Sequence, residues 1–278
     1  QIVGDFYLKT ATRNNKTEYS MQAENIISLL DGREHKGGFY DSADVEYVIK
    51  NEIFAGLDVK VDTSKIKGQT ITGWLPYNTA RNSLAQICFA LGCIVDTSFE
   101  TGVFIYPYDE SQEPAEIPDD LIYANAEKID QEEIVTGVKL TVHSWIKDAK
   151  DDKNELYKSI LSGQTLIKFD EPHHSLSIEG GNIVESGDNY AVIAGDGSQV
   201  ILTGKNYQHV QQVVNMEKEH VYRNKKFSEC TDATLVTSKN APEVLKRMFE
   251  YYTNNQTMRA TIVLEDIELS DIVKVNDF

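Results

Sequence analysis

From residue 134 onward, apolar and polar side chains alternate in short runs: Ile134 to Ile146, Gln164 to Phe169, Ser175 to Ile178, Tyr190 to Ile193, Val200 to Thr203 and Arg259 to Leu264. Successive side chains of an extended chain point to opposite faces, so runs of period two are stable as strands with one face on a core. Gly180, Gly181, Gly187, Gly195, Gly197 and Gly204 fall between the runs and supply the turns that a meandering antiparallel sheet needs. One helix interrupts the pattern, Pro242 to Tyr252, with proline in its first turn and Val244, Leu245, Met248 and Phe249 on one face.

The earlier part of the chain reads differently. Ile2 to Ala11 and Lys16 to Ala23 alternate around Asn14 and Asn15, a hairpin signature. AENIISLL (23–30) either continues the second strand or turns helical, and Gly32, Gly37 and Gly38 mark the loop after it. From Asp41, Ser42 is placed to cap a helix carrying Val45, Val48, Ile49 and Ile53 at helical spacing and ending near Gly56. Short strands are expected at Val59 and Val61 and at Ile71, Gly73 and Leu75. A second helix follows, capped by Asn78 or Thr79, buried along Ala80, Leu84, Ile87, Cys88 and Leu91 and stopped by Gly92. Ile94 to Asp96 and Val103 to Tyr106 form a hairpin around Glu100 to Gly102. The expected organisation is a first β domain over 1–40, an inserted α+β module over 41–108, an acidic linker or exposed edge over 109–133, and a second β domain over 134–278. The fold class is β-rich α+β.

Net charge narrows the functions. At −17, the chain carries no basic stripe with which to neutralise phosphates, so stable nucleic-acid binding is not expected. The segment 109–133 holds ten acidic residues against Lys128 alone. No run approaches the apolar length of a membrane helix, and QIVGDFYLKT lacks the layout of a secretion signal. Without an initiator methionine, the sequence reads as a trimmed or internal piece. Cys88, Cys93 and Cys230 are odd in number and suit a reducing interior better than a disulfide framework.

Chemical motifs are sparse, and no catalytic, metal or cofactor residues are assigned. DEPHH (170–174) offers carboxylates and two imidazoles, but His173 and His174 as strand neighbours point apart and read as a turn before SLSI. Ser144 beside His143 and Ser162 before Gly163 sit in no nucleophile elbow, and IEGGNIV opens no phosphate-binding helix. Arg223, Lys225 and Lys226 form the one basic knot, near His220 and Tyr222, suited to a solvated turn or an acidic neighbouring subunit. Tyr106, Tyr108, Tyr251 and Tyr252 would serve either a sugar-binding platform or strand packing and subunit interfaces. A sugar-binding module would show coplanar aromatic rings along a shallow groove, whereas an acidic cell-wall hydrolase would show two carboxylates across a deep cleft.

Several stretches also resemble a known family. GWLPYNTARNSLAQICFALGCIVDTSFETGVFIYP (73–107) looks like a segment of tail proteins from Firmicutes phages, in which Thr-Ala-Arg precedes an apolar helix and a Val-Asp-Thr-Ser strand. EIVTGVKLTVHSW (133–145), FDEPHHSLSIEGGNI (169–183) and NYAVIAGDGSQVILTGKNY (189–207) resemble their continuation. The order of parts is similar to the baseplate hub family, which includes the late-control D proteins of contractile tails. The resemblance implies two tube-like antiparallel β domains per subunit and a homotrimer forming a pseudo-sixfold ring between tail tube and spike. It further implies location in a virion tail made in the bacterial cytoplasm, no cofactor and no enzymatic activity.

Overall fold

The computed structural model describes residues 6–98, 102–109, 111–123, 128–131, 134–147, 152–219, 225–254, 256–263 and 271–275. The chain is β-rich with three α-helices among these residues. It opens with β1 (Phe6–Arg13) and β2 (Tyr19–Asn25), an antiparallel ribbon. Its turn is held by Asn15, whose Oδ1 accepts from the backbone N–H groups of Thr17 and Glu18, a local geometry that Asn favours.

The α+β module follows. A 3₁₀ turn over Ile26–Leu30 settles the ambiguity of AENIISLL: strand as far as Asn25, then helical. β3 (Glu34–His35) pairs with β7 (Asn78–Thr79), and β4 (Gly38–Asp44) with β6 (Thr70–Leu75). α1 (Val45–Val48) runs into a π-type turn over Ile49–Ile53. Asp44, rather than Ser42, caps it by accepting from Tyr47 N–H at 3.1 Å; the helix begins at Val45, so the capping position falls on Asp44, and Ser42 lies two residues earlier in β4 with φ 54°. β5 (Val61–Asp62), β9 (Val103–Pro107) and β8 (Cys93–Asp96) form a three-stranded sheet. α2 (Ala80–Leu91) is capped by Thr79, which accepts from Asn82 N–H, and stops at Gly92 with φ 70°. Ala80, Leu84, Ile87 and Cys88 are buried on its inner face with Ser83 and Ala90, while Leu91 packs at the rim. The same core takes in Ile26 and Leu30, before residue 41, and Leu235, far beyond residue 108.

Described parts of the acidic segment do not run free. β10 (Ala115–Ile117) pairs in parallel with β19 (Val273–Val275), and β11 (Lys128–Gln131) pairs antiparallel with β18 (Gln256–Arg259).

The rest is organised by one strand. β12 (Gly137–Lys147), β13 (Asn154–Lys168), β14 (His173–Glu179) and β15 (Asn182–Ser186) all pair with β16 (Tyr190–Glu217), a strand of 28 residues. The sequence suggested separate strands at Tyr190 to Ile193 and Val200 to Thr203, turning at Gly195 and Gly197. Both glycines instead lie inside β16, at a bend. The pairing requires that bend. Lys168 sits opposite Tyr190 and His173 opposite Asn206, so a connection of five residue steps, reaching at most about 18 Å, joins points that a straight β16 would hold about 53 Å apart. The β13–β16 ladder therefore doubles back on itself. Gly163 (φ 87°) and Gly197 (φ 101°) carry positive φ at the bend. Folding over encloses Leu161, Phe169, Ala191, Ile193, Val200 and Leu202. Beyond the bend, β16 and β12, flanked by β17 (Phe227–Cys230), form a sheet that α3 (Ala241–Tyr252) covers with Val244, Leu245 and Met248. Pro242 occupies the first turn of α3, where its missing N–H costs nothing.

Candidate functional site

The three cores meet at one junction. Trp74 of β6 is buried and donates from Nε1 to Asn189 Oδ1 at 2.6 Å. Asn189, 1% exposed in the turn before β16, donates from Nδ2 to the carbonyls of Lys36 at 2.9 Å and Leu75 at 2.7 Å. A single amide thus satisfies one buried donor and two backbone acceptors of the module. Gly37 makes the approach possible: a Cβ there would lie 2.3 Å from Leu75 O and 2.8 Å from Asn189 Nδ2. Thr234 Oγ1 closes the other side by donating to Trp74 O.

Aromatic rings extend the junction. Trp145 packs 4.9 Å from Trp74 and stacks on His209 with ring centroids 3.6 Å apart and planes within 7°. Phe39 lies 4.5 Å from Tyr207. His143 Nδ1 and His209 Nε2 are 2.9 Å apart. Burial, reinforced by His209 alongside, holds His143 below the usual imidazole pKa, and burial does the same for His209. His143 Nε2 has the Thr231 backbone nearby but no well-aligned hydrogen bond, and Trp145 Nε1 is also buried without one. At the rim, Lys168 bridges to Glu34, which accepts from Tyr77, and Lys36 bridges to Glu185, which accepts from Tyr190. Burial and the bond to Glu34 push the Tyr77 phenol up to about 12.

A second polar cluster lies inside the module. Ser83 Oγ is 3.0 Å from His35 Nδ1, His35 Nε2 is 3.2 Å from Glu52 Oε2, and Tyr40 donates to the same carboxylate at 2.6 Å. The bond to His35 keeps Glu52 below its ordinary pKa, helped by Tyr40 and opposed by burial. The distances are those of a nucleophile, base and acid. The placement is not: Ser83 is 2% exposed and His35 5%, between α2 and the π-type turn, where a substrate carbonyl has no approach. The cluster ties β3 and β4 to those two helical elements. No motif revealed it, because its members are far apart in sequence and none sits in a recognisable spacing.

The residues singled out from sequence are distributed as follows. His174 bonds Asn206 O at 3.2 Å, whereas His173 packs edge-on to Phe169, and among the described residues no group of three potential ligands could hold a metal. Ser144 is exposed on β12, and Ser162 lies within β13. Lys225 pairs with Glu217 at 2.5 Å; Arg223, His220 and Tyr222 lie outside the described residues. All three cysteines are free, and burial pushes the Cys93 thiol up to about 11. Tyr108, Tyr251 and Tyr252 gather around a groove of about 300 Å³ between α2 and α3, floored by Phe89, Ile94 and Met248. Tyr251 and Tyr252 stand at 88° to each other, so the two do not form one flat platform. Tyr106 instead donates to Asp96.

Exposed strand surface is the other prominent feature. On the β1–β2 ribbon, Phe6, Leu8, Tyr19 and Met21 are each more than half exposed, and on β16 Val210 and Val213 face solvent.

No protein-family model matches the chain, and no curated protein sequence matches it. Among solved structures, the prophage tail protein gp18 from Listeria monocytogenes EGD-e superposes over 98% of this chain and 67% of its own, with a TM-score of 0.48 and 12% sequence identity. A likeness of that strength is too weak to assign a function by.

Proposed function

We propose that this chain is a structural subunit of a phage or phage-like tail baseplate, forming a homotrimeric ring at the hub between tail tube and spike, without catalytic activity. The observation that carries this reading is the β1–β2 ribbon, which no described residue covers and whose large apolar side chains are exposed, although a two-stranded ribbon needs a further layer to be stable. A subunit that completes its sheets only on assembly has that appearance. The resemblance of 73–107, 133–145, 169–183 and 189–207 to tail proteins supports the same reading. The charge of −17 suits a channel through which DNA passes without the counterion-releasing contacts that cause sticking. Sedimentation and electron microscopy of the purified chain test it: rings of three copies are expected. A species that stays monomeric at every concentration overturns it.

A second reading rests on the groove rimmed by Tyr108, Tyr251 and Tyr252. A carbohydrate-binding module would bury a sugar ring against one of these phenols. Binding of cell-wall polysaccharide that Tyr251→Ala abolishes would favour it over a purely structural role.

A further inference from the structure

The β1–β2 ribbon is amphipathic. Residues opposed across an antiparallel pair share a face, and Leu8 opposes Ala23, Ala11 opposes Met21 and Arg13 opposes Tyr19. One face therefore carries Phe6, Leu8, Ala11, Tyr19, Met21 and Ala23, with Arg13 and Asn25 at its two ends; the other carries Tyr7, Lys9, Thr10, Thr12, Ser20, Gln22 and Glu24. The apolar face is open, with Phe6 58%, Leu8 61%, Tyr19 54% and Met21 67% exposed. Such alternation is the pattern of a sheet with one side covered, yet no described residue covers it.

The second feature is an edge. As far as Asn206, β16 is paired by β13 along Tyr190–Gly204 on one side and, on the other, by β15 at Ala191–Ala194 and β14 at Ile201–Asn206. From Tyr207 to Glu217 it pairs with β12, in unbroken register, and among the described residues nothing pairs with its other side. Exposed edges are ordinarily blunted by charge, proline, bulges or shortness. This one has none of these. Asn206 to Met216 contains no Lys, Arg, Asp or Glu, in a chain where 26% of residues are charged. Val210 and Val213 are 42% and 61% exposed.

Resting on the reading of the chain as a ring-forming tail subunit, we infer that the β1–β2 ribbon of one copy adds as the next strands to the Tyr207–Met216 edge of a neighbouring copy. Charge selects the occupant. Lys9, Arg13 and Lys16 against Glu18 and Glu24 leave the ribbon net positive in a chain of −17, so it approaches an acidic second copy with attraction rather than repulsion, and the edge that it meets is neutral. Because ribbon and edge are different surfaces of the same subunit, the contact is head-to-tail, and copies joined that way continue until the rotation closes.

The test is complementation between two variants of the full chain. Leu8→Lys with Met21→Lys charges the ribbon face; Val210→Lys with Val213→Lys charges the edge. All four positions are exposed, so each variant is expected to melt with the wild type. Alone, each is expected to lose self-association by about a hundredfold or more and sediment as a monomer. An equimolar mixture retains one intact ribbon and one intact edge and should form a heterodimer that grows no further. Wild-type rings that either variant leaves undisturbed, or a mixture that stays monomeric, overturn the ribbon-to-edge contact while leaving the ring itself standing. A monomeric wild type removes both. If the lysines lower the melting temperature, the same mixture made with Leu8→Gln, Met21→Gln and Val213→Gln decides between these results.

Discussion

Replacing Asn189 by alanine removes three hydrogen bonds at one stroke: from the Trp74 indole at 2.6 Å and to the carbonyls of Lys36 and Leu75 at 2.9 and 2.7 Å. The indole and the amide are buried, and packing around Gly37 leaves little room for water. An orphaned buried donor costs about 1–3 kcal/mol and an under-satisfied carbonyl somewhat less, so the total is about 3–5 kcal/mol. Urea unfolding followed by tryptophan fluorescence reads the cost directly, because Trp74 and Trp145 pack at this junction. Asn189→Asp sharpens the test. It keeps the shape but faces two carbonyl oxygens with a carboxylate, which raises the folded-state pKa above the unfolded value. Its stability should therefore recover as pH falls and decline as pH rises through that folded pKa. A loss under about 1 kcal/mol for the alanine variant, or a pH-independent deficit for the aspartate, would refute the view that this amide joins the module to the β body.

Other predictions follow from the same geometry. His143, His209 and His173 all have folded pKa values lowered chiefly by burial; a base so shifted stabilises the fold fully above its unfolded pKa of about 6.5 and loses that contribution as pH falls below it. Urea midpoints should drop between pH 7.5 and 5.5, and a flat profile would count against the burial of this cluster. Gly180→Ala would set a Cβ 2.0 Å from Gln199 O at φ 72°, whereas Gly197→Ala, at φ 101°, meets open space; the first should cost well over the roughly 1 kcal/mol of backbone strain expected of the second, as thermal melts would show. Leu84→Ala, in the α2 core at 3% exposure, should cost about 2–5 kcal/mol, and unchanged stability would mean that the helix face is wrongly assigned. Ser83→Ala should leave any activity toward chromogenic esters unaltered, since Ser83 is enclosed; loss of turnover with the fold intact would make the buried relay an active site.

Legibility in the sequence followed the range of the signal. α2 could be read almost to the residue, because Thr79, Gly92 and the stripe from Ala80 to Cys88 are local determinants. α3 was equally plain from Pro242 and its apolar face. Strand alternation located β12, β14 and parts of β13 and β16, but not their lengths. LYKSILSG in β13 hides its period because one ladder serves two faces of a doubled-back sheet, and burial along it is irregular. Glycines were read as ends of strands since a turn and a bend need the same positive φ; only pairing distinguishes them. The cap falls on Asp44 rather than Ser42 because β4 runs on through Asp44 and the helix starts only at Val45, a boundary that two closely spaced capping-type residues leave open. Asn189, Trp74, His35, Glu52 and Ser83 were missed for a related reason: the bonds that join them to one another span 17, 48 and 115 residues, and long-range partners leave no periodic trace.

The 28 residues of β16 belong to two cores at once, and this has a mechanical consequence. Tyr190 to Gly204 is gripped by β13 inside the doubled-back body, while Tyr207 to Glu217 is zipped to β12 beneath α3. Tension applied along this strand loads both ladders in shear, with many hydrogen bonds sharing the force, instead of peeling them one by one. Neither body can be pulled open without straining the register of the other, so the pair should yield as one unit under load.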